Sequence, residues 1–303
     1  MKITTNAPKK KGLNIYTRQR LWGLSFVLPA FIFFAVFAFY PMINAFFISF
    51  TDYNLMTDPK FVGLENYARM LTDGRFKIII NNTLGFVIGS TIPTILLSLG
   101  LALVLHRKFF GRDFVRTLYF LPIVFSGVVV SVVWRLLYHP YGLINVLLDP
   151  ILQDVPRWIT NRDLAPWSII ILNVWQSVGF YMVIFIAGLQ NIPDDFYDAA
   201  MVDGANRVQS FWYITLPLLK PTTLLIVVIS IINYFQTFTY QYVMTKGGPS
   251  DATNVISLYI YLNAFQYQYM GYASAMSIIM FIFIMILTLV QFKFVRTEDI
   301  TYV

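Results

Sequence analysis

The chain contains no cysteine and only two histidines in 303 residues. Disulfides, thiol nucleophiles and thiolate metal ligands are therefore excluded. No G-x-x-x-x-G-K-[ST] segment occurs, and Gly247-Gly248-Pro249 has neither its spacing nor its lysine, so the chain carries no ATPase site of that kind. Charge is scarce as well: Asp, Glu, Lys and Arg make up 12% of the residues, against roughly 25% in an ordinary soluble domain. Hydrophobic residues make up 57%. A soluble fold of this length needs more polar surface than that, so much of this surface must face lipid.

The charges are interrupted rather than thinned. None falls within 21–51, 78–105, 164–193, 221–245 or 252–292. A helix needs about 20 apolar residues to cross a hydrocarbon core of about 30 Å, and each run has that length. The pattern predicts an all-α membrane protein of six transmembrane helices, near 22–46, 79–105, 117–137, 167–189, 222–243 and 272–292. The third has the shortest uncharged stretch, with Arg135 near its end, where a long side chain can snorkel. The first is too long for a cleaved signal peptide and no A-x-A-like site follows it.

Basic residues orient the spans. The N-terminal tail, the 106–116 connection, Arg207 with Lys220, and the C-terminal tail together hold 14 of the 22 Lys and Arg. That side is expected to be cytoplasmic, with both termini inside: a tail over 1–20, a membrane domain over 21–293 and a tail over 294–303. The formal charge of +7 then requires no nucleic acid, because anionic inner-leaflet lipid is a sufficient partner. The fourth connection, 191–221, carries Asp194, Asp195, Asp198 and Asp203; span parity, not its own charge, puts it inside. His106 and His139 fall on opposite sides, which argues against a shared metal site. The uncharged stretch 252–271 is dotted with Asn254, Ser257, Asn263, Gln266 and Gln268 and reads as an ordered outer segment or interfacial helix.

Amides within spans are costly in lipid and should face protein or a wet cavity. Asn81, Asn82, Asn173, Gln176, Asn233, Gln236 and Gln241 belong to this group. Asn233, Gln236, Thr237 and Tyr240 recur at spacings of three and four, so a single helix would show them on one face. Amides and hydroxyls beside aromatic rings suit a neutral polyhydroxylated solute, and Gln176 beside Trp175 and Ser177 offers a second candidate surface. Helix-to-helix hydrogen bonding with an aromatic interfacial belt is the plainer account of any one of these residues. Ser90, Thr91, Pro93, Gly100, Pro122 and Gly127 read as packing and helix-distortion positions, able to line a path only where a helix is already broken.

The 191–221 segment is different in kind. Pro193 or Asp194 can start a helix whose early carboxylates suit its positive end. Gly204 permits a bend before a second short helix, and Pro217 and Pro221 limit its continuation. Ala199 and Ala200 would admit a close backbone approach, and Phe196 or Phe211 would supply an apolar anchor. Such a loop fits either a surface hairpin or an element that transmits a push from a cytoplasmic partner.

This segment resembles the coupling loop of permease subunits in binding-protein-dependent ABC importers: Asp198-Ala199-Ala200, Asp203-Gly204-Ala205, then the run from Ile214 to Pro221. The family's usual first glutamate is Asp198 here, one methylene shorter with the charge kept. Phe61-Val62-Gly63-Leu64-Glu65-Asn66-Tyr67, Asn82-Thr83, the stretch from Arg112 to Pro122, Gly247-Gly248-Pro249 with Thr253, and Gly271-Tyr272-Ala273 resemble the carbohydrate-importer branch. The resemblance covers most of the chain after Gln19. It implies a non-enzymatic inner-membrane permease subunit of a bacterial or archaeal sugar importer. Its expected partners are a second, related permease, two copies of a cytoplasmic ATPase and an extracellular solute-binding protein. ATP and Mg would sit on the ATPase, with no cofactor or metal on this chain. The implied docking residues are Phe196, Asp198, Ala199, Ala200, Asp203, Gly204 and Phe211. The expected solute path involves Gln176, Asn233, Gln236, Thr237 and Tyr240. A secondary transporter would instead need ionisable groups near midplane, and the spans largely lack carboxylates.

Overall fold

The computed structural model describes residues 15–152 and 155–294; Lys2, Lys9, Lys10, Lys11 and the 295–303 tail lie outside them. The chain begins with a long helix, α1 (Ile15–Phe34), which passes through a π turn (Ala35–Phe39) into α2 (Tyr40–Ile48). The π turn ends two residues before Pro41, whose ring cannot accommodate the regular bonding of the preceding turn. Arg18 and Arg20, expected in a separate tail, already belong to this helix.

A two-stranded hairpin, β1 (Thr51–Asp52) and β2 (Lys60–Phe61), and a short helix α3 (Glu65–Thr72) cap this end. Asn66 explains its place in the sequence pattern: its amide donates to the carbonyls of both Ser49 and Thr51, at 3.0 and 2.9 Å. The membrane-crossing bundle then follows as α4 (Gly74–Leu105), α5 (Arg112–Val124), α6 (Gly127–Leu137), a small α7 (Leu143–Leu148), and α8 (Leu164–Gln190). At 27 residues, α8 is about 40 Å long. It is the central element: 72% of its most apolar stretch is buried within this chain, against none of the stretch in the first helix. Lipid or another subunit must cover α1 and α2.

Two short helices, α9 (Asp195–Val202) and α10 (Arg207–Ser210), lead through a π turn (Phe211–Thr215) and α11 (Leu216–Leu218) into α12 (Lys220–Gln236). Here too the π turn ends two residues before a proline, Pro217. α13 (Thr239–Thr245), α14 (Ile256–Tyr261) and the final α15 (Met270–Phe294) complete the chain. α4 and α8 form the most extensive pairing; α5 packs on α8, α12 on α4, and α6 on α13.

Four helices are individually long and apolar enough to span a membrane, and six spans result when each of two bent pairs is counted once. The expected single helix over 117–137 is instead broken: α5 and α6 meet at 100° across Phe125 and Ser126. Pro122 and Gly127 flank the break, where a missing N–H and an absent side chain make it least costly. The expected helix over 222–243 breaks as well, because Thr237 is extended (φ −75°, ψ 131°) between α12 and α13. The 252–271 stretch is ordered, as α14, a π turn (Leu262–Gln266) and the start of α15, and packs into the protein. Leu258, Tyr259, Leu262, Asn263 and Ala264 are all buried.

Candidate functional site

Two places in the fold carry the residues singled out above: the end of the bundle holding 191–221, and the pair of breaks in the spans. In the first, α9 is preceded by Asp194 and carries Asp195 and Asp198 in its first turn, where carboxylates meet unsatisfied N–H groups. Gly204 ends it in the left-handed region (φ +81°), with its own N–H on Met201 O and that of Ala205 on Ala200 O. Asn206 caps α10 reciprocally with Gln209. The bend into α12 is 61° and lies at Leu219 and Lys220, with Pro221 in the first turn of α12, so Pro217 does not end the preceding helix. Tyr197 Oη lies 3.0 Å from Thr215 Oγ1 and ties the two arms of the loop together.

This tie leaves one side of α9 open. Phe196, Asp198, Ala199, Asp203 and Gly204 are exposed, Ala200 and Phe211 half-buried, and Met201 and Val202 project at 71% and 89% exposure. Met201 and Val202 are exposed apolar side chains on a helix whose C-terminal end is fixed by the Gly204 turn. Beside them, His106 is held below the ordinary imidazole range, first by burial and then by the charges of Arg116 and Arg112, while Asp194 pulls the other way. Arg116 also donates twice to Leu105 O, at 2.7 and 3.2 Å, closing the end of α4.

The candidate path residues do not share one face. Asn233 reaches toward Tyr181 Oη at 3.5 Å, on the α8 side, whereas Gln236 lines a cavity of 350 Å³ against α15 with Ser277, Phe281 and Thr288. The helix stops there, so Thr237 and Tyr240 follow a different axis: Thr237 O accepts from Ser257 Oγ at 2.9 Å, and Tyr240 lies against Gly127 at the first break. Gln176 is buried and its amide donates to Pro122 O and Phe125 O at 3.3 and 3.1 Å, satisfying carbonyls freed by that break. Two interrupted helices, α5/α6 and α12/α13, thus meet where α6 packs on α13. Irregular backbone at membrane depth is tolerated only where protein or a cavity surrounds it.

Tyr234 was not singled out in the sequence. Its hydroxyl sits 3.0 Å from Thr94 Oγ1 and 2.9 Å from Ser177 Oγ, joining α12, α4 and α8 within the buried core. The only sign was its position between Asn233 and Gln236, where a tyrosine reads equally well as part of an aromatic belt. Among the described residues, no group of three His, Cys, Asp or Glu side chains could hold a metal.

The chain is similar in sequence to several transport proteins over nearly its full length. It is 40% identical to the probable ABC transporter permease protein YesP of Bacillus subtilis, covering 91% of each chain. It is 33% identical to the trehalose/maltose transport system permease protein MalF of Thermococcus litoralis, covering 91% of this chain and 94% of that one. A chain in the crystal structure of a bacterial ABC transporter involved in the import of the acidic polysaccharide alginate superposes with a TM-score of 0.82 at 26% identity, covering 93% of this chain and 98% of that chain. Residues 94–297, from mid-α4 through the 191–221 loop and α15, match the binding-protein-dependent transport system inner membrane component family, and the chain belongs to that family as an ABC-transporter permease subunit of the inner membrane.

Proposed function

We propose that this permease forms half of the translocation pathway of an ATP-driven sugar importer. It would cross the membrane six times with both termini cytoplasmic, counting each bent pair as one span. ATP and Mg would be bound on two copies of a cytoplasmic ATPase, a second and related permease would complete the pathway, and an extracellular solute-binding protein would deliver the sugar. Permease relatives named for trehalose/maltose and for multiple sugars support the substrate class.

The observation that carries the coupling role is the exposed α9, closed by the Gly204 turn, with Met201 and Val202 projecting from it. In this reading Phe196, Asp198, Ala199, Ala200, Asp203, Gly204 and Phe211 seat on the ATPase. Nucleotide-driven closure of the ATPases then pushes on the loop, and the 61° junction into α12 passes that displacement to the second break and its partner α6. This is alternating access biased by differential contacts in two states. Gln176, Asn233, Gln236, Thr237 and Tyr240 are proposed along or beside the path, with Gln176 acting through the carbonyls it holds.

Ala200→Arg tests the docking role. ATPase copurification and uptake are expected to be lost while membrane insertion is unchanged; intact copurification and uptake would sink the assignment. For the path, Asn233→Ala and Gln236→Ala should change uptake kinetics or sugar range. Normal values in both would remove these two residues from it.

A further inference from the structure

At the end of the bundle opposite the 191–221 loop, the N-terminal part of α4, the start of α8 and the 246–255 loop border an open cup of 330 Å³. Asn82, Arg162, Asp163, Trp167 and Ser250 border it, and Pro166 and Ala252 floor it. The helix end is already capped without Asp163, because Asn161 Oδ1 accepts the N–H groups of Asp163 and Leu164. Neither Arg162 nor Asp163 is in a salt bridge among the described residues. Asn82 commits its amide nitrogen to Asp251 O and Asn254 O, which leaves the amide oxygen as an acceptor.

A second observation lies directly behind the floor. Asn82, Pro166 and Ala252 also line a chamber of 20 Å³, together with Gln241 and the apolar Phe86 and Ile169. Gln241 is 1% exposed, and neither its amide nitrogen nor its amide oxygen has a partner among the described residues. A chamber above about 10–15 Å³ admits one water, and a buried amide left unpaired is destabilising. The cup therefore presents an indole, a guanidinium, a carboxylate, a hydroxyl and the Asn82 amide oxygen, and the adjoining chamber is lined by the buried Gln241.

We propose that this cup is an outer sugar-binding subsite, separate from the span breaks, taking one hydroxyl-bearing pyranose unit of the solute. Trp167 meets the C–H face of the ring, Arg162 and Asp163 pair with adjacent hydroxyls as donor and acceptor, and Gln241 is reached through a water in the chamber. A lipid phosphate is disfavoured by the Asp163 carboxylate on the rim. The proposal rests on the sugar-importer reading and on the orientation that places this end of the bundle outside.

The natural absence of cysteine makes the test direct. Ser250→Cys is introduced into the assembled transporter in ATP-loaded proteoliposomes, and maleimide labelling of this chain is followed with maltose, trehalose or alginate oligosaccharide present. Uptake of the same sugars is measured in parallel with the binding protein added. An imported sugar is expected to slow labelling several-fold. The effect should disappear with Trp167→Ala, survive Trp167→Phe, and be absent at the exposed hairpin position in Lys60→Cys. Uptake with unchanged labelling, or protection that persists in Trp167→Ala or extends to Lys60→Cys, overturns the cup while leaving the importer reading intact. Import of none of these sugars overturns both.

Discussion

Arg75, in the first turn of α4, forks onto the carboxylate of Asp251 across 176 residues of sequence, with Nε on Oδ2 and Nη2 on Oδ1 both at 2.8 Å. This bidentate geometry fixes both partners in one plane and pins the 246–255 loop over the mouth of the bundle. Asn82 holds the same loop by its backbone carbonyls, and Thr245 and Thr253 tie it internally at 2.6 Å. The side chains remain 42% and 26% exposed, so the pair is screened. A double-mutant cycle of Arg75→Ala and Asp251→Ala should therefore give a coupling of about 1 kcal/mol. Thermal unfolding of the purified transporter measures it, and strictly additive single losses would show that the fork does not hold the loop.

The same face should be sensitive to acid. Burial pushes the carboxyls of Asp73 and Asp251 up, but hydrogen bonds outweigh it and hold both below the ordinary carboxylate range. Asp73 accepts from Tyr272 and Tyr259 at 3.0 and 3.1 Å, and from the backbone at the start of α4; Asp251 accepts from Arg75 and Asn254. A carboxyl depressed on folding contributes stability that is fully present above its unfolded value of about 3.9 and is lost as pH falls through its lower folded value. Melting temperature should thus fall as pH drops below about 4, and Asp73→Asn should flatten that decline. An acid limb with the same slope in the variant would count against this network.

These contacts mark the boundary of what the sequence makes legible. Uncharged length alone locates α4, α8 and α15 to within about five residues, because lipid imposes a simple requirement on any helix that crosses it. Hydropathy does not see a break, since Phe125 and Thr237 are as compatible with lipid in an extended conformation as in a helix once neighbours satisfy their carbonyls. Pro122 and Gly127 warned of the first break; Thr237 had no adjacent glycine or proline to warn of the second. The loop over 191–221 was legible because caps and bends are local. Nothing local connects Asp73 with Tyr259 and Tyr272, or Tyr234 with Thr94 and Ser177.

Tyr234 is the next point of leverage. Its hydroxyl joins two others from two different spans in the buried core. Tyr234→Phe keeps the ring and its edge contact with Phe86 at 6.3 Å but leaves Thr94 Oγ1 without a partner and takes one from Ser177 Oγ, which still donates to Asn173 O. Hydrogen bonds between membrane helices are worth about 0.6 kcal/mol on average and up to about 1.7. The expected loss lies toward the upper end, because two partners are affected. Asn233→Ala, which removes only a 3.5 Å contact, should cost less stability. Equal melting temperatures for the two variants would refute the ranking.

Gly179 on α8 is constrained more severely, and by backbone. An added Cβ there would collide with the backbone carbonyl of Tyr119 on α5, and no side-chain rotation can relieve contacts with main-chain atoms. Gly179→Ala must therefore push α5 away from α8. Gln176 lies one turn earlier on the same helix and donates to Pro122 O and Phe125 O, so the displacement reaches the carbonyls of the α5/α6 break as well. Overpacking costs typically about 1–3 kcal/mol, and the loss of the Gln176 bonds adds to it. Uptake should fall together with melting temperature, because the broken span is held by the contact that is lost. Gly85→Ala on α4, where an added Cβ meets nothing within 4 Å in this chain, should leave stability level or slightly raised, as the smaller backbone entropy of alanine favours the helix. Similar behaviour of the two variants would mean that α5 is not seated on α8 through Gly179.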